Sequence, residues 1–470
     1  MYEKQYVISR DDAGLPASYR RYAIGEWHIG VARDLDVLPL PLCGDRVGYL
    51  IGHPIDFEGV LRSPIEGDLE NSLYNIAGSY IGIVQADNDI RVYLDACGSL
   101  PAVYCPAHGI VAANVDLIST VPYSGQLQEQ FRIDADKFFP FTLTPKEGVH
   151  RLLPNHSLSL SSWVVERHWP KVLTECARSP EQNIDLIIDR LTGMLSPLVA
   201  EHPISLPLTA GYDSRALLAS LTALSAKGDI TYFTSVIDKA AADDAEVASK
   251  ISRDLGLRYR EAQFVRPTEQ ERDHWLASTG RCVGGRASYN FKTVAGEVND
   301  RVVCMGLAGE VGRTFYSAGI EKRTPLSAGL LLKKMGLPLT ELSGREAQHW
   351  LAELAGFDSQ QIMDLLYIEI RLGCWAGPQM IADVPARFKT IPFNQRPIFE
   401  YMLDTPFSLR AKEYIPDSIV RRLAPRLAEY PYNPRKRGPL WRRVARGARR
   451  MLYAPIDRTR AKYGVRSSTT

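Results

Sequence analysis

Apolar and polar residues alternate with a period of two through the first 170 positions of the chain, the pattern of half-buried strands. VGYLIGHPIDF (47–57), YIGIVQADNDIRVYLD (80–95) and GIVAANVDL (109–117) are such runs, punctuated by Gly, Asp and Asn where hairpins turn. HSLSLSSWVVERHW (156–169) alternates in the same way and is expected as a final edge strand. Past the charged, breaker-containing stretch Cys176–Gln182 the period lengthens. Ile184–Ala200 has helical spacing, followed by a strand at 204–208, a tight turn and a helix at 214–224. A strand at 230–237, a helix at 245–256 and a strand at 301–306 continue the series, and from about Gly329 the pattern is mainly helical. Strands alternating with helices predict a parallel, doubly wound sheet. The chain is thus expected to be α/β, with a β-rich domain over 1–175, an α/β domain with a helical extension over 180–434, and a tail over 435–470.

Length agrees with that division, because 470 residues exceed one ordinary core. No apolar run approaches the roughly 18 residues of a membrane span, and MYEKQYVISRDD lacks the apolar stretch of a secretory signal. Seven scattered cysteines without a CxxC pair speak against a zinc site or a disulfide framework, and fit a reducing cytoplasm. The nine histidines show no ligand spacing; His150, His156 and His168 are expected to pack or cap. Charge is uneven: residues 435–466 carry twelve Lys/Arg against one acid, Asp457, which leaves the remainder at −9 within a whole-chain charge of +2. The tail reads as a solvated terminus, as a surface helix drawn to anionic lipid, or as contact with another polyanion. Nucleic acid is not expected, since no known module accompanies the charge.

The most informative stretch is Leu206-Pro-Leu-Thr-Ala-Gly-Tyr-Asp-Ser-Arg215, set between a strand and a helix. Such a turn aims successive N–H groups, and the positive end of a helix dipole, at one spot favourable to an anion. Small residues at 209–211 let a phosphate approach, Ser214 can donate a hydroxyl, and Asp213 can hold a divalent cation. The plainer reading is a strand–helix turn in which Asp213 and Ser214 are ordinary caps. Local sequence leaves both open.

LTAGYDSR resembles the SGGxDS pyrophosphate loop of N-type ATP pyrophosphatases, in the LSGGxDS form of asparagine synthetases; Thr209 and Ala210 replace Ser and the first Gly. The similarity runs on in order through TYFTSVI, Asp243-Asp244-Ala245-Glu246, and Gly306-Leu307-Ala308-Gly309-Glu310, which resembles the GxGxDE loop. It continues in Trp375 and Ile391-Pro-Phe-Asn-Gln-Arg396, which is similar to a PFLDRR segment. In the first half, Gly78-Ser79-Tyr80 through Asp95, Gly98 and Pro101–Tyr104 resemble "G-F-A…D-x-x-G-x-x-P-L-Y-Y". Gly148–His156 resembles "G-I-x-R-L-P-P-G-H", with Trp169 following. The similarity covers roughly residues 45–435.

The resemblance implies an Ntn-hydrolase-like, glutamine-amidotransferase-like sandwich ahead of an ATP-pyrophosphatase domain. It implies ATP and Mg²⁺ as cofactors, with Leu208, Thr209, Ala210, Gly211, Asp213 and Ser214 around pyrophosphate. Val236, Met305 and Gly306 would flank the adenine, Asp213 and Glu310 would share the metal, and Glu310 would serve catalysis. Lys412 is the nearest candidate for the family's catalytic lysine, with Arg410 and Arg422 as rivals and an exposed helix charge as the plainer reading. Class II amidotransferases attack glutamine with an N-terminal cysteine; the first cysteine here is Cys43, expected to pack as a small apolar residue, so glutaminase activity is not expected. The implied function is an ATP-dependent carbon–nitrogen ligase that adenylates a carboxylate for attack by ammonia or an amine. Leu307 stands where asparagine synthetase has a catalytic glutamate, so the product need not be asparagine. A macrolactam- or β-lactam-forming cyclase is one alternative. A non-catalytic member acting in binding or assembly, for instance in surface-polysaccharide synthesis, is another. Glu369 and Arg371 are expected as a structural ion pair, and Trp375 as core.

Overall fold

A computed structural model describes residues 2–433 apart from 67–68, 87, 134–136, 174 and 225–227. The basic tail expected over 435–470 lies outside the described residues. Met1–Tyr432 forms one compact unit.

Among the described residues, the first half forms twelve strands: β1 (Tyr6–Ser9), β2 (Arg20–Ile24), β3 (Trp27–Val31), β4 (Asp36–Pro39), β5 (Val47–Ile55) and β6 (Ala77–Ala86), then β7 (Asp89–Leu94), β8 (Ala102–Cys105), β9 (Ile110–Ala112), β10 (His150–Leu152), β11 (His156–Ser159) and β12 (Val165–Arg167). They build two six-stranded antiparallel sheets, ordered β10-β8-β9-β1-β3-β2 and β12-β11-β7-β6-β5-β4. Tyr6, Ile8 and Ile29 of one sheet share a core with Ile51, Ile81, Ile83, Val92 and Leu158 of the other. The second sheet is covered on both faces, since Leu50, Tyr80 and Val84 pack against Leu73 and Ile76. β6, expected as a half-buried strand, is accordingly buried on both faces from Ala77 to Val84. The single edge strand expected over 156–169 is instead a hairpin: β11 pairs with β12 across a turn holding Trp163 at φ 60°, and β12 forms the edge.

In the second half, helix Pro180–Glu201 opens with a capping box between Ser179 and Gln182. Its apolar stripe, including Ile184, Ile187, Leu191, Met194 and Leu198, is buried. A five-stranded parallel sheet follows, built from β13 (Ile204–Pro207), β14 (Ile230–Val236), β15 (Tyr259–Gln263), β16 (Val302–Cys304) and β17 (Phe388–Thr390), in the order β15-β14-β13-β16-β17. The chain is therefore mixed α/β, with antiparallel sheets and a parallel sheet. Both edge strands of the parallel sheet were hidden in the apolar pattern. Tyr-Arg-Glu-Ala-Gln buries only Ala262 fully, and Phe-Lys-Thr is three residues long in a region otherwise rich in helix. No helix among the described residues is long and apolar enough to cross a membrane.

One buried polar knot ties the antiparallel sandwich to the parallel sheet. Asp95, 1% exposed, accepts from the N–H groups of Ser99 (2.9 Å) and Leu100 (3.0 Å) and from the side-chain amide of Asn394 (2.8 Å). Asn394 in turn donates to Gly78 O (2.9 Å) and accepts from Cys97 N (2.9 Å). Arg396 donates to Leu94 O (2.9 Å), and Arg190 donates to the Gln395 side chain (2.9 Å). Gly377 lies so close to the same turn that a Cβ there would sit 2.5 Å from Gly98 O. The Asp95–Gly98 and Phe393–Arg396 segments thus form the joint between the two halves. Asp95→Ala leaves several buried donors without an acceptor, and is expected to lower the unfolding free energy by about 3 kcal/mol or more in urea titrations. A loss below about 1 kcal/mol would show that the knot is not what holds the halves together.

Candidate active site

From β13 the strand order runs outward through β14 to β15, then returns on the other side of β13 as β16 and β17. Order reverses between β13 and β16, and in open parallel sheets the crevice beyond such strand ends is where ligands bind. Two connections meet there. Residues 208–211 lead from β13 into helix Tyr212–Ala223, and residues 305–308 lead from β16 into the 3-10 turn Gly309–Arg313. Gly306 backs directly onto the helix start, where a Cβ would stand 3.1 Å from Ser214 N.

The first connection is folded on itself. Thr209 N donates to Ser214 Oγ (3.2 Å), Ala210 N to Asp244 Oδ1 (3.3 Å) and Gly211 N to Thr209 Oγ1 (3.0 Å). Leu208, expected around pyrophosphate, is fully buried; its N–H donates to Phe233 O and its carbonyl accepts from Thr234, so it extends the sheet contacts. Gly211 caps the helix without a side chain, which leaves the first helical N–H groups open to an external anion.

Asp213 and Glu310, about a hundred residues apart in sequence, come together here. Arg313 lies between them: its Nη2 is 2.8 Å from Asp213 Oδ2 and 3.5 Å from Glu310 Oε1. Asp213 Oδ1 and Glu310 Oε2 are both buried without a hydrogen-bond partner among the described residues. Burial, then the charge of Glu310, push the Asp213 carboxyl well above the usual carboxylate range, against the opposing pull of Arg313. Burial and Glu310 likewise push up the Tyr367 phenol. Gly309 is what lets Asp213 sit here, since a Cβ would lie 2.4 Å from Asp213 Oδ1.

Between the sheet and helix Ala287–Val298 lies a cavity of about 340 Å³, which reaches the two connections at Thr209 and Leu307. Its walls are mostly apolar, including Phe233, Trp275, Phe291 and Met305, with Thr209, Asp244 and Arg286 among its polar groups. Ser235 lines it, whereas Val236, expected beside the adenine, lines a separate hollow with Glu246 and Glu261. Trp375 is half-buried and packs against the core as expected; it also lines the cavity, with the Arg371 guanidinium 3.8 Å above its ring. Glu369 pairs with Arg167 (3.0 Å) and Trp350 (2.7 Å), not with Arg371. Glu369 and Arg371 both lie on the π-helix Leu366–Ala376, and side chains two positions apart on a helix do not face each other.

Lys412 is exposed in the turn between two helices; its N–H donates to Leu409 O (3.0 Å), and its ammonium has no hydrogen bond or ion pair among the described residues. Arg410 is buried against Asp364 (2.9 Å), and Arg422 pairs with Asp185. Both rivals are structural. His156 contacts Glu353 (3.0 Å), burial pushes His168 down to about 2, and His150 is exposed beside the Tyr104 ring. Cys43 is half-buried in a turn.

Sequence reasoning missed Arg313, Tyr367, Arg286 and Lys389. Arg313 lies three residues past Glu310, where periodicity carries no signal for a non-helical turn. Lys389 lines the cavity from the unforeseen β17; it donates to Gln379 O (2.6 Å) and Ala382 O (3.2 Å), and burial pushes it down to about 7.

Among the described residues no cluster of three or more His, Cys, Asp or Glu could hold a metal alone. The two orphaned buried oxygens of Asp213 and Glu310 do fit a hard cation whose other ligands come from phosphate and water.

No family model matches the sequence, and no curated protein matches it either. Among solved structures, the chain is similar to glutamine phosphoribosylpyrophosphate amidotransferase from B. subtilis complexed with ADP and GMP, at 12% identity over 65% of this chain and 69% of that one, with a TM-score of 0.20. It is also similar to NMN synthetase from Francisella tularensis, at 13% identity over 53% of this chain and 96% of that one, with a TM-score of 0.21. At such scores neither likeness bears on fold or chemistry.

A raised Asp213 pKa means that the folded chain holds this proton more tightly than the unfolded chain does. Stability is then lost as pH rises from about 4 through the folded value. Asp213→Asn keeps an acceptor for Arg313 and is expected to be more stable than wild type at pH 8, with the gap closing toward pH 4 in urea unfolding. A variant less stable at pH 8 would show that the carboxylate is not held under load.

Proposed function

We propose that this chain is an ATP-dependent, amide-forming synthetase of the asparagine-synthetase type. It would activate a carboxylate as an acyl-adenylate, and ammonia or an amine would then displace AMP. The observation that carries this reading is the meeting of Asp213 and Glu310 at the strand-order reversal, with orphaned oxygens, beside an open helix N-terminus and a cavity of nucleoside scale.

In this reading the nucleoside enters among Phe233, Phe291 and Met305, with Ser235, Asn290 and Asp244 within reach of its polar edge. The triphosphate runs toward the N–H groups that Gly211 leaves uncapped. The substrate carboxylate oxygen attacks the α-phosphorus, the bond to the bridging oxygen breaks, and pyrophosphate leaves with that electron pair. The amine nitrogen then attacks the acyl carbon, AMP leaves with its oxygen, and the nitrogen gives up a proton. Asp213 Oδ1 and Glu310 Oε2 would hold Mg²⁺, which supplies charge neutralisation to the phosphates. The protein's own contribution is positioning and fixed dipoles.

A non-catalytic, nucleotide-independent binding role is the second reading. It is favoured by the loop N–H groups at 209–211, which already have partners within the chain. Isotope exchange between pyrophosphate and ATP, with Mg²⁺ and a panel of carboxylic acids, separates the two. Wild type is expected to catalyse exchange, and Asp213→Ala to lower it by about 100-fold. Equal rates in the two proteins reject the synthetase.

A further inference from the structure

We propose that Arg313 is a built-in counter-ion of the carboxylate pair, which keeps divalent cations off Asp213 and Glu310 until a phosphate draws the guanidinium away. This deepens the synthetase reading and rests on it for the identity of the phosphate.

The geometry is specific. One guanidinium nitrogen serves both acids, at 2.8 Å from Asp213 and 3.5 Å from Glu310. Arg313 adds one positive charge beside the two acids and so lowers by one the negative charge that they present to a cation. The acids are the fixed members of the group. Asp213 leans on the backbone of Gly309, with no room for a Cβ between them, and Glu310 lies within that same turn, facing the buried Tyr367 hydroxyl. Arg313 is the adaptable member: it ends the 3-10 turn, its Nε is buried without a partner among the described residues, and its head lies 5.6 Å from the Tyr212 ring centre. Tyr212 and Asp213 open the helix whose N–H groups are left for an anion. A phosphate arriving there brings negative charge to the guanidinium, and Arg pairs with phosphate as well as with carboxylate. Moving Arg313 from acid to phosphate takes that positive charge away from where the metal enters. Two protein ligands suffice for an ion that keeps water and phosphate oxygens in its shell.

Mn²⁺ serves as a paramagnetic stand-in for Mg²⁺, and its binding to the full chain is read from the loss of the free-ion electron paramagnetic resonance signal. Without nucleotide, Arg313→Met is expected to bind Mn²⁺ at least tenfold more tightly than wild type, while Arg313→Lys stays near wild type. Adding Asp213→Asn to Arg313→Met is expected to abolish the gain, which places the ion at this pair. Equal Mn²⁺ affinity in wild type and Arg313→Met overturns the proposal. Arg313→Gln repeats the comparison should the Met variant fail to fold. A third arm needs no variant: wild type that binds Mn²⁺ tightly with no nucleotide present also overturns it. Adding the non-cleavable analogue α,β-methylene-ATP is a separate arm that tests the synthetase reading. Tightening of Mn²⁺ in wild type supports both ideas, whereas an Arg313→Met gain with no response to the analogue keeps the counter-ion and rejects ATP as the ligand.

Discussion

The close approach of Asp213 to Gly309 is the constraint on which the site depends. A carboxylate 5% exposed, set on a glycine backbone and facing a second acid, is an expensive arrangement that folding alone does not require. It persists because a guanidinium offsets part of the charge, and because the turn Gly309–Arg313 and the helix from Tyr212 are each anchored to adjacent strands of the parallel sheet. Loaded carboxylates of this kind cluster where chemistry is done. Here the pair also lies at the point where strand order reverses, so the energetic and the topological arguments select the same crevice.

The rest of the molecule positions that crevice. Buried Asp95 and Asn394 lock the antiparallel sandwich against the segment that follows β17, and β17 carries Lys389 to the cavity wall. The π-helix Leu366–Ala376 brings Tyr367 to Glu310 and Trp375 to the cavity, while Glu369, on its other side, ties back to Arg167 of β12. Residues of the sandwich thus support the site through polar links, among them Ser79 Oγ to Lys389 O and Gln5 to Ser278 O.

The central features were legible because they are local. Apolar alternation marked β5, β6, β7, β9 and the β11–β12 stretch, and the strand–turn–helix at 204–224 is carried by Ile-Ser-Leu-Pro followed by small residues. The pairing of Asp213 with Glu310 followed from the order of motifs along the chain. What escaped was set by tertiary contact. Charged β15 becomes a strand by pairing with β14, and three-residue β17 by pairing with β16. Leu208 and Val236 do not line the cavity because strand ends differ by one residue in which side chain meets it, and periodicity does not fix ends that closely. Arg313 escaped because its role comes from a 3-10 turn. The Asp95 and Asn394 segments were visible as motifs, but their work as a joint needs both halves in place.

The most direct test of the account is where a nucleotide goes. Photolabelling with 2-azido-ATP, followed by peptide mapping, is predicted to mark peptides containing Phe233–Ser235, Phe291 or Met305, with the label removed by excess unmodified ATP. Label confined to peptides outside the cavity, or label that ATP does not compete away, would contradict a nucleotide site at the crevice between β13 and β16.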